Sequence, residues 1–293
     1  MRIGLLRRRD FISSIGGAAA WPFAARAQQP GRMYRLAFFV PFGRDVPGVG
    51  AFFDELRSGG FIEGQNLTVG SGGFNVPGEQ ISELVTAVVN SMPDAIFTGP
   101  DGYTRAVQNV AGVIPIIALS GDMVGAGLVA SLSKPGGNTT GVSMFAPELD
   151  DKRQEILIEA VPGLHRIGVM ADPTMSQTTP RHLQELRDAA RAHGIDVSIF
   201  TVTKSDEIAP AIERAKEADA EALNFLATPV FIANRGIVVE RVAMVRLPAI
   251  YQWPEMTQEG GLMAYGARTT EIYRQVRGWP RKCSVESKPL TCR

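Results

Sequence analysis

Cysteine is scarce in this sequence, and neither sign of charge is in excess. The 293 residues include two cysteines, Cys283 and Cys292, both near the end of the chain, which excludes a disulfide framework and a cysteine-rich metal site. Thirty basic residues balance thirty acidic ones, whereas a nucleic-acid-binding protein carries a basic excess. No apolar run is long enough to cross a bilayer. With 45% apolar and 20% charged residues, the composition is that of a globular protein with a buried core.

Signatures of catalysis and of cofactor binding are also missing. The three histidines, His165, His182 and His193, have no metal-ligand spacing, and we expect surface or helix-capping roles for them. The sequence has no phosphate-binding loop, and residues 141–145 lack the second glycine of a nucleophile elbow. Residues 125–130 match a loose dinucleotide fingerprint, but they follow a late strand and are interpreted as a connection. We therefore expect no catalytic residue, no metal and no cofactor.

The first 27 residues have the pattern of an export signal. Arg8 and Arg9 precede a short apolar stretch interrupted by glycine and proline, and the segment fits the twin-arginine consensus. Residues 25–27, Ala-Arg-Ala, form a small-x-small cleavage site. We expect cleavage after Ala27 and export to the periplasm, because the glycine pair and the proline disfavour a helix of the folded protein.

Beyond the leader, short apolar runs alternate with amphipathic segments, and the pattern occurs twice. Such runs predict parallel strands covered on both faces by helices. The predicted strands span residues 34–40, 66–69, 95–98 and 115–119, then 166–170, 197–201, 222–226 and 249–251. The fold class is therefore α/β, with two similar three-layer (αβα) lobes and a cleft between them. We expect a first lobe at 33–145, a crossover near 146–163, a second lobe at 164–266 and the start of a returning helix at 267–277.

One segment carries a family resemblance. Residues 113–142, VIPIIALSGDMVGAGLVASLSKPGGNTTGV, are similar to a signature of the ABC transporter substrate-binding proteins, the group that includes tryptophan and tyrosine binders. The leader, residues 260–266 and residues 273–275 also resemble this family, and Met123 departs from it where the family has proline. The resemblance implies the type I periplasmic-binding-protein architecture. It also implies capture of a small solute and delivery to an ABC permease of the inner membrane.

The expected function is thus that of the periplasmic solute-binding component of an ABC importer. We expect a monomer whose lobes close on an amino acid or a similar zwitterion. Two alternatives remain open, an exported sensor subunit without transport and an exported hydrolase. Because open α/β sheets bind ligands at the carboxyl ends of their strands, the candidate binding residues are taken from those loops. They are Phe42, Thr98, Gly99, Tyr103 and Asp122 in the first lobe and Asp172, Thr228, Pro229 and Tyr251 in the second.

For two of these residues the sequence offers a purely structural alternative. Tyr103 falls in the first turn of a predicted helix, where packing alone would account for it. Asp172 precedes another helix, which its carboxylate would cap. At the end of the chain, residues 278–293 no longer resemble the family, and a shifted codon frame permits LAAKVLRGEQTADLP, which does. We therefore interpret residues 278–293 as a frameshifted tail.

Overall fold

The computed structural model describes residues 32–144, 146–175 and 178–276. The expected leader, residues 1–27, and the expected frameshifted tail, residues 278–293, lie outside the described residues. The described residues from Tyr34 to Val276 belong to one compact unit, which contains both predicted lobes.

The first lobe is built on a parallel five-stranded sheet with helices on both faces. The strand order is β2-β1-β3-β4-β5. Its strands are β1 (Tyr34–Phe39), β2 (Leu67–Val69), β3 (Ala95–Thr98), β4 (Ile116–Ser120) and β5 (Thr139–Ser143). Its helices are α1 (Pro47–Ser58), α2 (Ile81–Asn90) and α3 (Asp101–Val110), with 3-10 turns at Ser71–Gly73 and Gly78–Gln80.

A second parallel sheet repeats this arrangement in the second lobe. Here the strand order is β10-β9-β8-β6-β7. The strands are β6 (Arg166–Ala171), β7 (Asp196–Thr201), β8 (Ala222–Phe225), β9 (Ala249–Tyr251) and β10 (Met263–Ala264). The helices are α5 (Pro180–Arg191), α6 (Ile208–Glu217), α7 (Pro229–Ala233), α8 (Arg235–Val245) and α9 (Glu255–Gln258), with a 3-10 turn at Ser205–Glu207. Two sheets of this kind confirm the predicted fold class.

Burial on both faces explains why the strands are apolar along their whole length. In β1, Leu36 and Phe38 belong to one hydrophobic cluster, while Ala37 and Phe39 belong to another on the opposite face. The edge strand β5 has no such requirement, since it is only partly buried, and its residues Thr-Thr-Gly-Val-Ser gave no strand prediction. Residues 229–245 form two helices rather than one, because Asn234 adopts a non-helical conformation between α7 and α8.

Helix α4 (Ala146–Ala160) carries the chain from the first lobe to the second, and α10 (Thr269–Gln275) carries it back against α1. A buried ionic cluster fixes α4. Arg153 and Asp150 are 0% and 1% exposed and form an ion pair, while Nη1 of Arg153 donates to the carbonyl of Tyr265 at 3.1 Å. Nε2 of His182 lies 3.2 Å from the second oxygen of Asp150. The cluster thus links the crossover helix to α5 and to the segment that leads back to the first lobe.

The surface or helix-capping role predicted for His182 is wrong. Its side chain is buried between α5 and α4, and desolvation lowers the pKa of its imidazole. At the acidic start of α4, Glu148 and Asp151 are exposed, whereas Asp150 is buried. Helical periodicity does not identify a polar residue whose partner lies on another helix.

Candidate functional site

The carboxyl ends of the two sheets face one cavity between the lobes. It has a volume of about 580 Å³, part of which is open to solvent. Both lobes contribute loops that follow strands, as expected for ligand sites of open α/β sheets. The lining residues are Phe42, Val46, Gly99, Pro100, Leu119, Gly121, Met144, Met175, Ala227, Thr228, Pro229, Ile232, Trp253, Thr269 and Tyr273.

The first lobe provides an apolar wall. Phe42 follows β1 and is 6% exposed, and Gly99 follows β3. A Cβ atom at Gly99 would meet the carbonyl oxygen of Leu119, so only glycine permits this close approach of two strand ends. Val46, the N-cap residue of helix α1, lines the cavity, and no side chain caps the first turn of this helix. Polar atoms on this wall are therefore mainly those of the backbone.

The second lobe provides hydroxyl groups with buried carboxylates behind them. Thr228 caps α7, and its hydroxyl donates to Oδ2 of Asp172 at 3.1 Å. The other oxygen of Asp172 accepts from the backbone N–H and the hydroxyl of Thr174, at 2.9 and 2.6 Å. Asp172 is 4% exposed, and the three donors from its own lobe hold the buried carboxylate in place.

A second hydroxyl–carboxylate pair forms beside the loop after β9. The backbone N–H and the hydroxyl of Thr269 donate to Oε1 of Glu255 at 2.8 and 2.7 Å. Within the described part of the chain, Oε2 of Glu255 is buried without a hydrogen-bond partner. The same holds for the indole nitrogen of Trp253, whose side chain is 7% exposed and lines the cavity. Oε1 of Gln252 in the same described segment is also buried without a partner, so residues 252–255 contain two unmatched acceptors and one unmatched donor.

Four of the nine predicted binding residues line the cavity: Phe42, Gly99, Thr228 and Pro229. Asp172 lies directly behind Thr228 and accepts hydrogen bonds from the turn that follows it. The predicted capping role is wrong, because helix α5 is capped by Thr179.

The other four predicted residues have structural roles outside the lining. The hydroxyl of Thr98 donates to the carbonyl of Phe39 at 3.1 Å and is fully buried. Tyr103 donates to the carbonyl of Val76 at 2.8 Å; burial raises the pKa of its phenol to about 12, and the charges of Glu79 and Asp172 add to the effect. These bonds match the packing role that the sequence offered as an alternative for Tyr103.

Tyr251 and Asp122 are also used locally. The ring of Tyr251 is 1% exposed and packs on Phe225 at a centroid distance of 5.0 Å. One oxygen of Asp122 accepts from the backbone N–H groups of Val124 and Gly125, at 3.2 and 2.9 Å, so the carboxylate closes its own turn.

Sequence reasoning missed most of the apolar lining. Trp253 and Met175 lie in loops that are predictable from the strand ends, but nothing in their sequence context marks them as lining residues. Met144 and Tyr273 come from the segments that connect the lobes, where strand patterns give no signal. The ring of Tyr273 stacks on Phe97 of the first lobe at 5.6 Å, which places the returning helix against this wall.

Among the described residues, no group of three or more His, Cys, Asp or Glu side chains could hold a metal ion. In the same part of the chain, no helix combines the length and the apolar character needed to cross a membrane. No charged side chain of a described residue lines the cavity, whose surface is largely apolar.

A sequence model of the ABC transporter substrate binding proteins matches residues 50–276. The chain belongs to this family. A curated relative, the tyrosine-binding protein of Clostridioides difficile (strain R20291), is 28% identical over 162 residues. That match covers 55% of this chain and 46% of the relative, so the chain spans about half the length of that protein.

Solved structures of this fold confirm the two-lobe architecture of the family member described here. A conserved domain protein from Vibrio cholerae superimposes with a TM-score of 0.75 at 21% identity, covering 88% of this chain and 86% of that one. A Streptococcus pneumoniae domain in complex with L-Trp gives a TM-score of 0.69 at 19% identity, with 87% and 86% covered. A ligand-free, open substrate-binding protein from Clostridium difficile gives 0.56 at 22%, with 88% and 89% covered.

Proposed function

We propose that this protein is the periplasmic solute-binding component of an ABC importer and that it captures an amino acid with an apolar or aromatic side chain. The observation that carries the proposal is the cavity between the lobes, which is lined by apolar side chains from both lobes together with Thr228 and Thr269. Closure of the lobes would exclude water from the solute, and the closed form would be recognised by the permease. The names of two similar proteins, a tyrosine binder and an L-Trp complex, agree with this solute class.

The composition of the cavity fits such a solute. Phe42, Met144, Met175 and Ile232 offer contacts for an apolar side chain, and a buried hydrocarbon group contributes about 25 cal/mol for each Å² removed from water. The carboxylate of Asp172 adds negative potential behind Thr228, which favours an ammonium group over a second anion. We retain Phe42, Gly99, Thr228, Pro229 and Asp172 as proposed binding-site residues.

A thermal-shift screen tests the proposal. The chain from Gln28 onwards should be stabilised by L-tyrosine or L-tryptophan and not by sugars or nucleosides, since a ligand that binds the folded state raises the unfolding temperature by mass action. Phe42→Ala should weaken the binding of the active amino acid about tenfold, because it removes part of the apolar wall. Val113→Ala is the matched control, as Val113 is 72% exposed and lies outside the cavity lining. The absence of a shift with any apolar amino acid would contradict the proposed solute class.

A further inference from the structure

We propose that the indole N–H of Trp253 donates a hydrogen bond to the carboxylate of the bound amino acid, while the hydroxyl oxygens of Thr228 and Thr269 accept from its ammonium group. The inference rests on the proposed function, since it assigns the two charged ends of that solute. All three side chains line the cavity and belong to the second lobe or to the first turn of α10.

The partners of the two hydroxyl groups determine whether each can donate to a ligand or accept from it. A threonine hydroxyl has one proton and two lone pairs. Thr228 gives its proton to Asp172 at 3.1 Å, and Thr269 gives its proton to Glu255 at 2.7 Å. Towards a ligand in the cavity, both oxygens can therefore act only as acceptors. The oxygen of Thr228 already accepts from the backbone N–H of Val230 at 3.4 Å and keeps one lone pair. An ammonium group can donate to the lone pairs that remain on both oxygens, and the carboxylates behind them favour a positive charge.

Trp253 has the opposite requirement. Its indole nitrogen is a donor only, it is buried, and it has no partner within the described part of the chain. A buried N–H without an acceptor is costly, and native proteins usually satisfy such a group with protein, water or ligand. The carboxylate of a solute in the cavity would supply an oxygen for this N–H.

The start of helix α1 brings the partial positive charge of a helix N-terminus to the first-lobe wall of the cavity. The helix is 12 residues long, its N-cap Val46 lines the cavity, and its first turn has neither a capping side chain nor an acidic residue. An uncapped helix N-terminus favours an anion. Near the loop after β9, three buried polar atoms of the described residues have no partner: Oε1 of Gln252, the indole nitrogen of Trp253 and Oε2 of Glu255. Of these three residues, Trp253 is the one that lines the cavity.

The test compares Trp253→Phe with the wild-type chain from Gln28 onwards, by calorimetric titration with three probes. L-Tyrosine carries both charged groups, 3-(4-hydroxyphenyl)propanoate lacks the ammonium group, and tyramine lacks the carboxylate. Phenylalanine keeps an aromatic ring but has no N–H, so a lost hydrogen bond affects only the two carboxylate probes. Tyr265→Phe is the control, because it removes a polar aromatic group that is 42% exposed and outside the cavity lining.

We expect Trp253→Phe to lower the affinity for both carboxylate probes about tenfold to a hundredfold, which is the range for a hydrogen bond to a charged group. The affinity for tyramine should stay nearly unchanged. A second measurement uses the wild-type protein. With ¹⁵N-labelled tryptophan, one indole N–H resonance, which Trp253→Phe assigns, should move downfield with L-tyrosine and not with tyramine.

Equal losses for all three probes, or an indole resonance that tyramine moves as far as L-tyrosine does, would mean that Trp253 acts by packing and would overturn the assignment. That result would leave the proposed function standing, because the wild-type protein would still bind. If the wild-type protein binds none of the three probes and no other apolar amino acid in the thermal-shift screen, both the proposed solute class and the assignment are overturned.

Discussion

Removal of Arg153 should destabilise the fold far more than removal of an exposed arginine. The side chains of Arg153 and Asp150 are 0% and 1% exposed, so water cannot solvate a charge that loses its partner. Burial acts to lower the pKa of Arg153, yet a guanidinium remains protonated in proteins, and the pair is ionic. We therefore treat Arg153→Met as the deletion of one half of a buried ion pair.

The expected magnitude follows from what remains after the change. Asp150 keeps its contact with His182 at 3.2 Å but loses its cation, and the carbonyl of Tyr265 loses its donor at 3.1 Å. Breaking a buried pair from one side destabilises a protein by about 3–5 kcal/mol. The double variant Arg153→Met with Asp150→Asn removes both charges and should recover most of that loss.

Urea denaturation, followed by circular dichroism without added ligand, measures the free energy of unfolding of each variant. The matched control is Arg191→Met, which breaks a pair with Asp188 whose side chains are 68% and 58% exposed. Exposed pairs contribute little, so this control should unfold almost as the wild type does. The reasoning is refuted if Arg153→Met and Arg191→Met have the same effect, or if the double variant is no more stable than Arg153→Met.

Three further results are expected. Gly99→Ala should lower stability by about 1–3 kcal/mol, because its Cβ would meet a strand carbonyl, whereas Gly102→Ala, on open helix surface, should stabilise slightly; comparable melting temperatures for the two would contradict this. Backbone hydrogen bonds hold the pKa of Glu207 below its usual 4.5, so the ionised carboxylate stabilises the fold above that pH, and this stabilisation is lost on further acidification. In Glu207→Gln, the free energy of unfolding should therefore fall less steeply below about pH 4.5 than in the wild type. Replacement of Arg8 and Arg9 by lysine should retain the protein in the cytoplasm, and unchanged export would argue against the twin-arginine route.

The strands were predictable because their burial leaves a direct trace in the sequence. The predicted strands at 95–98 and 249–251 coincide with β3 and β9, which are buried along their whole length. Strand β5 has no such trace, since it is an edge strand whose Gly141 packs against the backbone of Ala118. The alternation of strands and helices then determined the loops that form the cavity, and four of the nine predicted residues line it.

Individual site residues were harder to predict because the same residue types serve local structure. Asp122, a reasonable partner for an ammonium group, instead accepts two backbone hydrogen bonds within its own turn. Tyr103 uses its hydroxyl to bind a backbone carbonyl of the same lobe. The hydrogen-bond partner of a loop carboxylate or phenol depends on small differences in backbone conformation, which a sequence pattern does not show.

The two threonines of the cavity show where sequence reasoning reaches its limit. Thr228 is a predictable helix cap, but its proton points to Asp172, which is 56 residues away in the chain. Thr269 lies beyond the second lobe and gives its proton to Glu255, 14 residues before it. Only these tertiary contacts decide that both hydroxyls present lone pairs to a ligand. The preference of the cavity for a donor on the solute is therefore a property of the folded arrangement, although each residue that creates it is ordinary in its own segment.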